Sequence, residues 1–183
     1  IEYSAFVGCK DLRRITLPEG LEMVGKQCFA CSGIEEVAIP DSVTEIAESA
    51  FFKCANLKSV VFGEHSRLRK IGIGAFASTS LESFSAPLSL QSIAQSAFLM
   101  CARLKRVALN EGLEVLGTDE HPEESSYFGA FENSAVEEVT LPSTLKSIER
   151  SAFSGCARLK RLDLPEKLER IGSFAFRRTA LKS

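Results

Sequence analysis

Apolar residues return along this chain at a near-constant interval. A phenylalanine recurs at Phe6, Phe29, Phe51, Phe76, Phe98, Phe131, Phe153 and Phe176, at spacings of 23, 22, 25, 22, 33, 22 and 23 residues. Each is followed by an apolar residue at Leu12, Ile34, Leu57, Leu81, Leu104, Val136, Leu159 or Leu181. Three positions on come Ile15, Val37, Val60, Phe84, Val107, Val139 and Leu162. Two further on stand Leu17, Ile39, Phe62, Ala86, Leu109, Leu141 and Leu164. A step of two is strand spacing, with both side chains on the inner face. Pro18, Pro40, Pro87, Pro142 and Pro165 then stop the strand, because proline cannot donate to a ladder. Gly63 and Asn110, both turn formers, hold that place in two copies.

A second apolar pair follows, as at Leu21 and Val24 or Leu168 and Ile171. It reads either as a short second strand or as an irregular turn. The Ala-Phe-x-x-Cys step reads as one helical turn, too short to stand alone. Each copy is thus one coil, and a coil buries its apolar side only by stacking on the next. The predicted fold is an α/β repeat. It is a right-handed solenoid with a parallel β-sheet on the concave side and short helical turns or irregular segments on the convex side.

The full template reads Ala-Phe…Cys…Leu-x-x-Leu-x-Leu-Pro…Ile-Gly, clearest at 50–61, 97–117 and 152–172. It resembles the leucine-rich repeats of the BspA-like family over nearly the whole chain. The resemblance implies a non-enzymatic protein that adheres to other proteins or cells, and a cell-surface or secreted location. It brings no catalytic residues and no cofactor.

About eight coils of 22–23 residues are expected in one domain over residues 1–183. Ile1 to Phe6 matches Ile148 to Phe153, and Leu181 starts another strand, so both ends are expected to be uncapped and the chain a fragment. No signal-peptide pattern opens it. Two copies are enlarged. The stretch from Gly63 to Arg67 carries two extra residues, and the insertion at 117–129 carries ten. Copies also alternate between a long form, with Leu six residues after Phe, and a short form, with the apolar residue five after. Cys9, Cys54, Cys101 and Cys156 occur only in long copies, which suggests a true unit of about 45 residues.

Composition narrows function by exclusion. A net charge of −2 and a pI near 5.8 lack the basic stripe that nucleic acid requires. No apolar run is long enough to span a membrane. The recurring cysteines sit two coils apart, roughly 9–10 Å at strand spacing, beyond disulfide reach. They are expected to be free thiols in the core. Cys28-Phe29-Ala30-Cys31 has metal or redox spacing, but Cys28 fills the template Ala slot and no second pair exists. His65 and His121 are the two histidines, and neither has a nucleophile beside it in sequence. No metal site and no catalysis are expected.

The outward strand positions carry the most information about binding. They run Arg13-Arg14, Glu35-Glu36, Lys58-Ser59, Glu82-Ser83, Lys105-Arg106, Glu137-Glu138, Lys160-Arg161 and Lys182-Ser183, the last breaking the alternation of sign. The sign alternates coil by coil, so stacking sets opposite charges side by side. Between them lies a floor of small or medium residues: Thr16, Ala38, Val61, Ser85, Ala108, Thr140 and Asp163. A partner protein is expected across the middle coils, on Lys58, Val61, Glu82, Ser85, Lys105, Arg106 and Ala108. Tyr127 and Phe128 of the insertion would reach in from one side, unless Phe128 folds back beside Phe131. The other function class is an architectural subunit packed inside a larger assembly, which would use the ends and the far side of the solenoid.

Overall fold

The computed structural model describes residues 1–118 and 128–182. Among these the chain forms twelve short strands. They are β1 (Met23–Val24), β2 (Glu36–Ile39), β3 (Glu45–Ile46), β4 (Ser59–Phe62), β5 (Lys70–Ile71) and β6 (Ser83–Ser85). Then follow β7 (Ser92–Ala94), β8 (Arg106–Ala108), β9 (Val115–Thr118), β10 (Glu138–Thr140), β11 (Ser147–Ile148) and β12 (Arg170–Ile171). Every pairing is parallel, as a stack of like coils requires.

The second apolar pair, open between strand and turn in the sequence, is a strand. It builds the most continuous sheet, β1-β3-β5-β7-β9-β11-β12. The Leu-x-x-Leu-x-Leu strands form two smaller sheets, β2-β4 and β6-β8-β10. No ladder joins β4 to β6, and the extra residues at 63–67 lie just between them in sequence. The break also coincides with a change in core shape. Phe84 replaces the usual aliphatic residue and Ala86 replaces a large one. The Phe84 ring centroid lies 4.7 Å from that of Phe98 and the ring is edge-on to Phe62.

The core is a column of template phenylalanines. All seven successive pairs are stacked, with ring centroids 4.9–5.7 Å apart and planes within 13°. Each such pair contributes about 0.5–1.5 kcal/mol beyond simple area burial. Phe29, Phe51, Phe76, Phe98, Phe131 and Phe153 are fully buried. Phe6 and Phe176, at the two ends of the column, are partly buried.

The expected helical turn at Ala-Phe-x-x-Cys is corrected: no helix forms among the described residues. Left-handed backbone stands two residues before and two after the template Phe, as at Ser49 and Lys53 (both φ 55°). A single left-handed residue stops a right-handed helix. Alternate N–H groups serve different purposes. Those of Ala50, Phe52 and Cys54 close turns within the coil. Those of Ser49, Phe51 and Lys53 donate to Ile73, Ala75 and Ala77 of the next coil, at 2.8–2.9 Å. A helix would spend every N–H inside the coil and leave nothing for stacking.

The cysteines form a ladder of free thiols in pairs of coils. Among the described residues all six are free. Cys54 Sγ donates to the Phe29 carbonyl at 2.9 Å and lies 3.4 Å from Ser32 Oγ. Cys101 repeats this with Phe76 and Thr79, and Cys156 with Phe131 and Ser134. Each of these three thiols therefore docks on a short-form coil that offers Ser or Thr three residues after Phe. Burial pushes the Cys101 and Cys28 thiols up to about 11, and raises Cys54 and Cys156 as well. Cys9, expected in the core with the other recurring cysteines, is instead exposed, as is Cys31. Since the thiolate is the reactive form, the folded protein should react rapidly with a thiol reagent at Cys9 and Cys31 only. Unfolding should release the other four. Peptide mapping after a brief native alkylation checks this, and labelling of Cys101 before unfolding would refute the buried ladder.

The insertion is held at its two ends. Thr118 and Phe128 accept backbone hydrogen bonds from the consecutive residues Gln95 and Ser96, at 3.2 and 2.9 Å. Gly117 takes up one extra residue as an irregularity in register, with φ +88°. Deleting residues 119–127 would therefore join two chain ends already placed on neighbouring rungs. The deletion should leave unfolding cooperative and change stability by less than about 1 kcal/mol. Urea titration checks it: a lost or split transition would mean that the segment belongs to the core.

Candidate functional site

Outward residues of the first strands lie in one register. Backbone N–H groups of Glu35, Lys58, Glu82, Lys105 and Glu137 donate to the carbonyls of Arg13, Glu35, Lys58, Glu82 and Lys105 in turn. The alternating charges predicted from the sequence thus form a continuous row. In the neighbouring row Arg106 stands opposite both Ser83 and Glu138.

Alignment of the row does not make each neighbour an ion pair. Arg13 meets Glu35 at 3.5 Å and Arg14 meets Glu36 at 3.2 Å. Glu137 pairs instead with Arg158, at 3.2 Å, a residue outside the predicted row. Among the described residues no ion pair joins Lys58, Glu82, Lys105 and Arg106 to one another. The expected charge ladder therefore closes at its first step, Arg13-Arg14 to Glu35-Glu36, and stays open in the middle. These middle charges remain available, and contacts of this exposure contribute only about 0–1 kcal/mol to folding.

The floor is not one groove. A depression of about 400 Å³ is lined by Arg14, Thr16, Glu36, Ala38 and Val61, among others. Another, of about 310 Å³, is lined by Ser83, Ser85, Arg106, Ala108, Glu138 and Thr140, among others. The predicted site straddles the sheet break, with Lys58 and Val61 on one side and Glu82, Ser85, Lys105, Arg106 and Ala108 on the other. Val61 is 56% exposed, a large apolar side chain on an otherwise small floor. Ala108 is half-buried, while Lys58, Glu82, Ser85, Lys105 and Arg106 are exposed.

Phe128 does not fold into the core: its side chain is 48% exposed while its backbone is fixed on Ser96. Tyr127 and His121 lie outside the described residues. Among the described residues no group of His, Cys, Asp and Glu could hold a metal ion, and Cys28 points inward while Cys31 is exposed. No helix among them is long and apolar enough to cross a membrane.

Sequence reading missed two features. The Ser32, Thr79 and Ser134 partners of the cysteines were legible as an alternation of Cys with Ser or Thr at the same offset from Phe. Arg158 lies in a turn outside the template, and only its distance to Glu137 identifies it.

A family model for the BspA type leucine rich repeat region matches residues 1–105, 69–120 and 124–183, in six copies. No curated protein sequence matches the chain. Three solved structures are similar. A leucine-rich repeat protein from Bacteroides ovatus is 29% identical with TM-score 0.84, covering 100% of this chain and 45% of that one. The T. pallidum leucine rich repeat protein is 28% identical with TM-score 0.67, covering 94% and 65%. A leucine rich cell surface protein from Faecalibacterium prausnitzii is 28% identical with TM-score 0.66, covering 89% and 42%. The chain thus spans less than half the length of the Bacteroides protein.

Proposed function

This chain belongs to the BspA-type leucine-rich repeat family, and from that premise we propose that it is a surface-displayed, non-enzymatic adhesion module. It binds a partner protein along the outward face of its first strands. The observation that carries this reading is the unbroken row from Arg13 to Glu137, whose middle charges have no ion-pair partner in the row. Charges left open at a rim steer encounter and select partners more than they add affinity. The small floor lets a partner's side chains approach between them, and Val61 offers the apolar anchor. Display at a surface draws support from the similarity to the Faecalibacterium cell surface protein.

The test is a double reversal, Glu82→Arg with Arg106→Glu, combined with photo-crosslinking from Ser85 and, as control, from Lys53 on the turn face. Stability should stay within about 1 kcal/mol. Adducts with a partner protein should form from Ser85, and the reversal should slow that partner's association and change its salt dependence. Adducts from Lys53 alone, or association unchanged by the reversal, would move the site off this face.

A further inference from the structure

Charge is unevenly distributed along the solenoid. Residues 1–145 hold twelve basic and twenty acidic residues, net −8, whereas residues 146–183 hold ten basic and four acidic, net +6. Within this basic segment Phe174 sets a bulky, exposed aromatic in a slot whose backbone is left-handed in most copies. It is 54% exposed, and its backbone is left-handed at φ 63°. A bulky residue in that region is a genuine outlier. The same slot holds Ser4, Gln27, Ser49, Gly74, Ser96, Gly129 and Ser151 in the other copies. Two guanidiniums lie over the Phe174 ring, Arg150 at 5.9 Å and Arg177 at 5.5 Å from its centroid. Among the described residues neither is in an ion pair. Glu149, next to Arg150 in sequence, is taken by Arg170 and Ser147.

We propose that Arg150, Phe174 and Arg177 form a second binding site, on the turn face, for an extended acidic peptide with carboxylates on alternate residues. Phe174 is the platform that holds both guanidiniums in place. Each presents its N–H fork to a carboxylate, the geometry in which arginine binds best. Sharing one ring keeps the two guanidinium carbons within about 11 Å of each other. Alternate residues of an extended chain are about 7 Å apart, so two such carboxylates reach both forks. Arg178, exposed and also left-handed at φ 57°, adds a third cation beside them. A sulfated glycan fits less well, because a sugar ring would stack on the aromatic face that the guanidiniums already cover. Phe174 keeps a bulky side chain at a left-handed position that the other copies give to Ser, Gln or Gly, and such a costly choice is typical of binding sites.

The test uses a short labelled peptide with Glu at alternate positions, its Gln counterpart, and heparin as the sulfated polysaccharide. The Glu peptide should bind saturably and the Gln peptide should not. Phe174→Ser restores a template residue without changing net charge. It should leave the unfolding temperature unchanged or raised, yet weaken the peptide about tenfold. Arg177→Gln should weaken it comparably, and Arg158→Gln, at the turn residue that pairs with Glu137, should not. Peptide affinity untouched by Phe174→Ser would reduce the site to general electrostatics and overturn the proposal. Tight heparin binding without peptide binding would overturn it in favour of a polysaccharide.

Discussion

Truncating Phe98 to alanine is expected to destabilise the protein more than any other single core truncation, at or above about 5 kcal/mol. A buried Phe→Ala change costs about 3–5 kcal/mol through lost transfer energy and the cavity left behind. Phe98 adds to this because it contacts three other rings. It stacks on Phe76 at 5.4 Å and Phe131 at 4.9 Å, and Phe84 tilts against it at 4.7 Å. Removing it opens the column at its middle, beside the place where the first-strand sheet is already broken. Stability in a stack of coils is a sum over neighbours, so the two halves should uncouple. Urea unfolding should then show two transitions, or one with a reduced slope. Phe6→Ala, at an end with one ring neighbour, should cost well under half as much and keep a single transition. Equal costs at the two sites would refute the account of the column as a neighbour-coupled stack.

Gly129→Ala should be the most damaging single-methyl addition, about 2–4 kcal/mol. A Cβ there would stand 1.9 Å from the Ser151 carbonyl oxygen and 2.6 Å from Ala152 N. Both are backbone atoms of the next coil, so that coil must move. Other copies place Ser in this slot with left-handed φ, as at Ser96 and Ser151, which aims the side chain elsewhere. Gly129 does not share that left-handed conformation. Gly20→Ala is the control: nothing lies within 4 Å of its Cβ, and it should change stability by less than about 0.5 kcal/mol. Thermal and urea unfolding of both variants would decide, and a harmless Gly129→Ala would mean that the coil junction is looser than its contacts imply.

The period of the phenylalanines and the step of two in Leu-x-Leu identified the solenoid and its parallel strands without further help. Both are local patterns, and a side chain that faces the core in one coil must do so in every coil. The thiol ladder was legible for the same reason, since Cys54, Cys101 and Cys156 replace an inward position. The face of alternating charge was legible as a row, because register in a stack follows from the repeat itself.

What only the tertiary structure decided depends on contacts between coils. Whether Ala-Phe-x-x-Cys is a helical turn depends on where its N–H groups go, and half of them go to the next coil. Whether Glu137 pairs with Lys160 or Arg158 depends on side-chain reach, which the pattern does not encode. The predicted site spans two depressions on either side of the break between β4 and β6, which the repeat pattern does not show. The cluster at Phe174 joins residues 150, 174 and 177 from two coils, and its signal is a departure from the template. A repeat pattern specifies what recurs; a site made by exception exists only once the coils are stacked and the exceptional side chains meet.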